Sequence, residues 1–453
     1  MLRSFPSLAL ALALITPAVV SCVGHARTVE HSLANGLRII VKEDRRAPTV
    51  VQQLWYRVGS MDEEVGATGL AHVLEHMMFK GTRLHKAGEF SRRISEAGGR
   101  ENAFTNHDAT AYFQQVHRMH LGLVMELEAD RMSNLIVRDD EFAKEVRVVM
   151  EERRLRTEDD PRSLLDENVN AAAFAAHPYR WPIVGWMGDL EALKGARVRD
   201  FYRRWYAPNN AVLVVVGDVS AEEVIRLATR YYGPHKAKQL PARPAVVEPA
   251  QRGQRRVTVK APAEQGYVIM SYKAPVLPPG SSDWEPYALE VLGTVLAGHE
   301  AARLNQRLVR EQRVAHAAEA WYDAIARGPG SFGLGGVPAK SAADLEQALR
   351  AEAAAIASDL VAPDELQRAK SQAVAREVFK RDSIFAQAMD IGRYEIAGHS
   401  WREEERFAER LGTVTAEQVR EVARKYLVDD ALTVGVLEPQ PVERRSKPPE
   451  ARP

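Results

Sequence analysis

Residues 71–82 read AHVLEHMMFKGT, and this stretch contains the pattern His72-Val-Leu-Glu75-His76. Helical positions four residues apart lie on one face about one turn apart, so both imidazoles can point at a single metal ion. Glu75 lies beside them, where it can act on a water molecule as a general base. The flanking positions are apolar: Leu70, Val73, Leu74, Met77 and Met78. Unpartnered imidazoles are costly in such surroundings, which favours a metal site over an ordinary amphipathic helix.

A third metal ligand is expected on a later helix. Catalytic zinc commonly takes three protein ligands, and two histidines with a glutamate are a recurring set. Residues 141–160, EFAKEVRVVMEERRLRTEDD, offer five glutamates: Glu141, Glu145, Glu151, Glu152 and Glu158. Glu145 and Glu152 are two helical turns apart and share one face. Periodicity alone does not choose among the five.

The strand and helix patterns predict two similar units. GLRIIVKED (36–44) and TVVQQLWYRVG (49–59) are typical of strands and are expected to pair with each other, and ENAFTNHDATAYFQQV (101–116) predicts two strands around a polar turn. The same order of strands and helices returns in the second half of the chain. The predicted fold class is therefore α+β, with two homologous α/β domains, each a mainly antiparallel sheet with helices packed on it.

Composition suggests where the units begin and end. The predicted domains cover residues 27–232 and 257–437, joined by a linker rich in proline and basic residues at 233–256. Residues 438–453 are rich in proline and charge and predict a disordered tail. The glycine-rich GPGSFGLGGVPAKS (328–341) predicts a strand, because Ala339 stands where a phosphate-binding loop requires glycine.

Residues 1–26 have the features of a secretory signal, namely Arg3, an apolar run and then small residues. Cleavage after Ala26 is expected, and lipidation of Cys22 is the alternative. Either route predicts an exported, periplasmic protein, and the second alone would attach it to the membrane, through a lipid on Cys22. Cys22 is the single cysteine, which excludes an internal disulfide and a thiolate zinc site. Basic and acidic residues both number 61, so no net charge attracts nucleic acid.

On these residues the sequence resembles the pitrilysin/insulinase family of inverted zinc metallopeptidases, in which His-x-x-Glu-His precedes a further glutamate by about 76 residues. Glu152 follows His76 at that spacing. The resemblance extends from LANGLRIIVKED through GGRENAFTNHDATAY to FYRRWYAPNNAVLVVVGDV and into the second half, and is greatest to short bacterial and mitochondrial-processing-type members. It implies one zinc ion per chain on His72, His76 and Glu152, with Glu75 as general base and Glu145 as supporting carboxylate.

The resemblance also implies a mode of substrate binding. Asn102, Ala103, Phe104 and Thr105 would form an edge strand that pairs with the backbone of a peptide substrate, and an ordinary strand is the alternative. The implied function is an exported zinc metalloendopeptidase that hydrolyses extended or unfolded peptides, with Glu75 taking a proton from the attacking water. The alternatives are a non-catalytic structural or peptide-binding subunit of the same fold, and an exported zinc-dependent binding or chaperone protein.

A partner is implied by what the second half lacks. Full-length relatives carry an arginine and a tyrosine there that bind substrate, and the matching region is ARLNQRLVREQRVAHAAEAW (302–321). Leu308 stands near the arginine position, and Ala315 or His316 stands at the tyrosine position. A sister subunit that supplies the Arg/Tyr pair is therefore predicted, giving a heterodimer, with a homodimer as the alternative.

Overall fold

The computed structural model describes residues 27–442, and the predicted signal segment lies outside them. The strands are β1 (Thr28–Ser32), β2 (Arg38–Glu43), β3 (Thr49–Tyr56), β4 (Arg100–Thr105), β5 (Thr110–His117), β6 (Ala211–Gly217), β7 (Arg255–Pro262), β8 (Tyr267–Ala274), β9 (Ala315–Tyr322), β10 (Gly330–Pro338) and β11 (Leu432–Gln440). The helices of the first half are α1 (Leu70–Met77), α2 (Glu89–Glu96), α3 (Leu121–Asn134), α4 (Asp139–Arg153), α5 (Pro161–Ala173), α6 (Met187–Ala192), α7 (Gly195–Trp205) and α8 (Ala221–Tyr231). Those of the second half are α9 (Glu285–Ala297), α10 (Ala342–Ser358), α11 (Pro363–Lys380), α12 (Ile384–Ala397), α13 (Trp401–Thr413) and α14 (Ala416–Tyr426). 

The strands form two sheets with the same topology. The first has the order β1-β2-β6-β3-β5-β4 and the second β7-β11-β8-β10-β9. Each contains one parallel pair, β2 with β6 and β7 with β11, and its other neighbours are antiparallel. Apart from β1, the strands of the two sheets correspond one to one. The predicted α+β class with two homologous units is confirmed.

The predicted pairing of β2 with β3 is wrong, because β6 lies between them. Every residue of β6 is buried, and its sequence AVLVVVG is apolar throughout. Such a strand is stable only inside a sheet with both faces covered. It therefore occupies the centre of the sheet, although it follows β3 by more than 150 residues in sequence.

Each half gives one helix to the sheet of the other half. The helix α12 packs on β3 and β6, where Ile391 joins an apolar cluster with Trp55. Gly392 is required there, because a Cβ atom would collide with the Trp55 indole. The helix α5 packs on β7 and β11, and its Leu165 and Val169 join the apolar residues of that sheet face. Each half keeps its own main core, and two smaller apolar clusters combine residues of both halves.

The segment between the two halves is bound to both of them and is not a free linker. Residues 233–254 contain no helix or strand, and β7 begins at Arg255, inside the predicted linker. Glu248 accepts hydrogen bonds from the backbone N–H groups of residues 175, 176 and 177, and pairs with Lys273 at 2.5 Å.

The predicted start of the disordered tail at residue 438 is wrong, because Glu438–Gln440 pair with residues 260–262 of β7. The prediction for residues 443–453 lies outside the described residues. Within residues 27–442, none of the helices combines the length and hydrophobicity that a membrane crossing requires.

Candidate metal centre and active site

The helix α1 carries the His-x-x-Glu-His pattern, and a buried carboxylate fixes its start. Glu63 accepts hydrogen bonds from the backbone N–H groups of Gly69 at 2.9 Å and Ala71 at 2.7 Å. A carboxylate at this position satisfies N–H groups that the helix itself leaves free, and it complements the helix dipole. The apolar residues of α1 face the core of the first half. His72 and His76 are left on the side of α1 that faces α4.

His72, His76 and Glu152 come together between α1 and α4. One ligand atom from each lies within 4.8 Å of the others, and residues 27–442 contain no other such group of three or more His, Cys, Asp or Glu. Oε2 of Glu152 is 3.3 Å from Nε2 of His76 and 3.7 Å from Nε2 of His72. Of the five glutamates that the sequence left open, the structure brings Glu152 to the histidines.

The donor set of this cluster fits a zinc ion. Burial lowers the pKa of His72 to about 3, and the neighbouring His76 and Arg156 act in the same direction. A neutral imidazole offers the lone pair that a metal requires. Nδ1 of His72 is buried and has no hydrogen-bond partner among the described residues. Two imidazoles and one carboxylate also leave a fourth position for water or substrate.

Glu75 lies in the same pocket but outside the three-residue cluster. Its Oε2 accepts a 2.6 Å hydrogen bond from the Thr105 hydroxyl. Burial raises the pKa of Glu75 to about 7, although the bond from Thr105 acts in the opposite direction. A carboxylate with a pKa near neutrality is suited to accepting and returning a proton. The sequence contained no signal for the contact with Thr105.

Glu145 lies behind His76 rather than in the pocket. Its Oε2 is 3.5 Å from Nδ1 of His76, and its Oε1 is 2.6 Å from Nζ of Lys80. An outer carboxylate on a ligand histidine fixes the orientation of the ring. The structure therefore gives Glu145 the geometry of a positioning residue that acts through His76.

The pocket around the cluster opens beside a free strand edge. It is lined by His72, Glu75, His76, Asn102, Phe104, Thr105, Glu152, Arg156, Thr157, Ser163, Glu167, Pro182, Ile183 and Val184. The strand β4 is the outermost strand of its sheet, and β5 is its only partner among the described strands. Three of the four residues predicted to bind substrate line the pocket. The fourth, Ala103, packs against the core.

The second half adds no side chain to this pocket within the described part of the chain. Leu308 is fully buried in the core of the second half. Ala315 and His316 lie at the start of β9 and do not line the pocket. These are the positions at which the resemblance places an arginine and a tyrosine.

Arg153 supports the walls of the pocket without lining it, and sequence reasoning missed this role. Its guanidinium donates to Glu167 at 2.8 and 2.9 Å and to the carbonyl of Gly185 at 2.9 Å. It therefore ties α4 to α5 and to the 182–184 wall of the pocket. The run Arg153-Arg154-Leu-Arg156 gave no reason to single out one arginine. Burial distinguishes it, since its side chain is only 6% exposed.

A duplicated α/β fold with two histidines and a glutamate beside a free strand edge defines a class of metal-dependent peptidases. Residues 38–185 match the family described as Insulinase (Peptidase family M16), and residues 192–373 match the domain described as Peptidase M16 inactive domain. The chain belongs to the insulinase family of zinc peptidases, as its sequence predicts.

Individual relatives agree with this family. The zinc protease PqqE of Helicobacter pylori is 34% identical over 292 residues, which are 63% of this chain and 65% of that protein. The zinc protease YmxG of Bacillus subtilis is 25% identical over 88% of this chain and 96% of its own length. The crystal structure of a protease from H. pylori superposes with a TM-score of 0.86 at 27% identity, and covers 92% of this chain and 100% of its own.

Proposed function

We propose that this protein is an exported zinc metalloendopeptidase that hydrolyses extended or unfolded peptides. The observation that carries the proposal is the position of Glu75. Its carboxylate shares one pocket with the His72, His76 and Glu152 cluster, and it is hydrogen bonded to the free edge strand β4. A metal site, a base and a peptide-binding edge are thus within one pocket.

The edge of β4 supports a preference for extended chains. The backbone groups of its free edge can add a substrate segment as a further strand once the Asn102 side chain releases the Ala103 N–H, and main-chain hydrogen bonds then hold any extended peptide. Such binding reads the substrate backbone more than its side chains. Folded proteins do not offer a free extended segment, so unfolded peptides are the proposed substrates.

The residues of the pocket divide the chemistry among them. One zinc ion per chain, when held by His72, His76 and Glu152, would polarise the scissile carbonyl and lower the pKa of water. Glu75 accepts the proton from the attacking water and returns it to the leaving amine. Glu145 keeps the His76 ring in place through Nδ1.

A sister subunit is proposed to complete the site. The second half contributes no described side chain to the metal pocket, and Leu308, Ala315 and His316 stand where relatives carry a substrate-binding arginine and tyrosine. A heterodimer would supply that pair, and a homodimer is the alternative. Export is proposed from the signal-like residues 1–26.

The test is hydrolysis of an unstructured peptide mixture, followed by mass spectrometry, before and after removal of zinc by a chelator. We expect cleavage that stops with the chelator and returns with added zinc. Glu75→Gln should retain zinc and lose at least about a hundredfold in rate, which is the usual contribution of a general base.

The matched control is Glu151→Gln, because Glu151 lies on the same helix as Glu152 and its side chain is 64% exposed. It should cleave like the unaltered chain. Unchanged turnover by pure Glu75→Gln protein would contradict the assignment of the base. Zinc binding with no cleavage, even alongside a candidate sister subunit, would instead favour a non-catalytic peptide-binding subunit.

A further inference from the structure

A second cavity lies between the two halves of the chain. Its volume is about 460 Å³, within the range of sites that bind small molecules or side chains. Its walls include five aromatic side chains, which are Trp55, Phe174, Tyr179, Trp321 and Tyr322. The first half supplies three of these and the second half supplies two. This cavity takes no part in the chemistry described above.

Trp321 forms a partly open aromatic wall of this cavity. Its side chain belongs to β9 and lies over Gly333, its cross-strand partner in β10. A Cβ atom at Gly333 would overlap the indole, and one at Gly335 would lie 3.2 Å from it. These glycines give the indole a flat floor and fix its orientation. Trp321 nevertheless remains 38% exposed, so it presents a fixed aromatic surface to an incoming group.

The helix α5 runs from the metal pocket to this cavity. Ser163 and Glu167 line the metal pocket, whereas Asn170 and Phe174 line the aromatic cavity. Ser163, Glu167 and Asn170 recur at intervals of four and three residues and therefore lie on one face of α5, and Phe174 directly follows the helix. Seven residues of helix separate Ser163 from Asn170, a distance of roughly 10 Å.

The end of β4 connects the same two sites on the opposite side. Thr105 is the last residue of β4 and lines the metal pocket. The turn that follows it, residues 106–109, lines the aromatic cavity. A peptide laid along the edge of β4 therefore passes the metal pocket and then reaches this cavity. An extended chain covers roughly 10 Å with about three residues.

Both carboxylates that line the cavity have partners. Asp108 accepts from the hydroxyl of Tyr179 and from the backbone N–H of Arg327, and Asp323 pairs with Arg393 at 3.2 Å. A cationic guest would have to displace these partners in order to pair with either carboxylate. The aromatic faces offer offset or edge-on contact to another ring, which favours an aromatic guest.

We propose that this cavity is a specificity subsite that receives an aromatic side chain of the peptide substrate, about three residues from the bond to be cleaved. The proposal rests on the proposed function, because the metal pocket sets the register of the peptide. Backbone pairing with β4 holds any extended peptide, and the cavity selects the register in which that peptide lies along β4. Cleavage positions would be set by an aromatic residue at a distance rather than by the residues at the scissile bond.

The experiment fixes the register of a probe peptide at the metal. Alanine-based peptides carrying a zinc-binding hydroxamate would be prepared in two series, with the chain extending in either direction from the hydroxamate. A single phenylalanine is placed one to five residues from that group, and Kd is measured with the zinc-loaded full chain. We expect one series to bind at least about tenfold more tightly when the phenylalanine is three residues away.

Variants then locate the effect. Trp321→Ala and Phe174→Ala should each remove this preference without changing the Kd of the all-alanine hydroxamate. Phe379→Ala is the matched control, because Phe379 is a 69% exposed aromatic residue on α11, outside the cavity, and it should change nothing.

A flat dependence on phenylalanine position, with every hydroxamate bound, would overturn the subsite and leave the metal centre standing. Retention of the preference in both cavity variants would also overturn it. Failure of every hydroxamate to bind the zinc-loaded chain would instead remove the proposed function and the subsite together.

Discussion

The Thr105 hydroxyl donates a 2.6 Å hydrogen bond to Oε2 of Glu75, so the edge strand and the proposed base are in direct contact. Thr105 is the last residue of β4, and Glu75 lies near the end of α1. A substrate peptide paired with β4 would therefore bind beside Thr105, whose hydroxyl is hydrogen bonded to Glu75. This hydrogen bond links the strand proposed to bind the peptide with the residue proposed to transfer the proton.

Replacement of Thr105 by valine should move the acid limb of the pH profile to higher pH. The bond from Thr105 stabilises ionised Glu75 and so lowers its pKa, which burial raises to about 7. Without that bond the pKa of Glu75 rises, and a larger fraction of the base is protonated at neutral pH. The measurement is kcat/KM against pH, in which Thr105→Ser should keep the original profile. Identical profiles for Thr105→Val and the unaltered chain would contradict this role.

Glu152→Gln should weaken zinc binding by more than about a hundredfold, since even contacts outside the ligand shell contribute 10–100-fold. The carboxylate lies 3.3 Å from His76 and 3.7 Å from His72, and an amide is a much weaker metal ligand. Metal content after dialysis against buffered zinc measures the effect. Glu151→Gln should keep its zinc, and equal loss from both variants would argue against a specific ligand.

Arg327→Met should lower the free energy of unfolding by about 3 kcal/mol, the low end of the cost of breaking a buried ion pair, because Asp62 keeps Arg243 as a second partner at 2.7 Å. Arg327 is 7% exposed, bonds Asp62 at 2.9 Å and donates to the carbonyl of Asp108 at 2.7 Å. It joins the second half to the turn after β4. Arg402→Met breaks an exposed pair with Glu30 and should cost less than about 1 kcal/mol. Equal denaturation midpoints for the two variants would contradict the difference.

Glu248→Gln should lower stability at neutral pH by about 2 kcal/mol and have less effect in acid. Burial alone would raise the pKa of Glu248, but hydrogen bonds from Lys273 and three backbone N–H groups outweigh it and lower the pKa to about 2. The stabilisation is therefore complete above pH 4.5 and is lost as the pH falls towards 2. Urea unfolding at several pH values measures it, with the exposed Glu264→Gln as control. A pH-independent difference would refute the charge-based account.

Local sequence patterns predicted the individual strands and helices of this fold better than they predicted which of them lie next to one another. The apolar run of β6 is typical of a strand, but nothing in β2 or β3 indicated that β6 would separate them. Likewise, an amphipathic helix such as α5 shows that it has an apolar face without showing which sheet that face will cover. Pairing and packing depend on contacts between distant residues, and single-sequence patterns do not record them.

In the candidate site, too, residues close in sequence were predicted and contacts between distant residues were not. His72, Glu75 and His76 are close in sequence, so helix geometry predicted their grouping directly. Glu152 was chosen from five glutamates only by family spacing, and the structure brings it to the histidines. The bond from Thr105 and the buried position of Arg153 depend on tertiary packing, so neither was predicted.

The helix α5 belongs to the first half but packs on the sheet of the second half, so its packing must wait for later parts of the chain to be synthesised. Leu165 and Val169 leave the ribosome early, yet β11, which helps to cover them, ends at Gln440. For most of translation that apolar face has no sheet to pack against. A nascent chain in this state is prone to aggregate and to bind chaperones. This face of α5 therefore becomes fully covered only after nearly the whole polypeptide has been made.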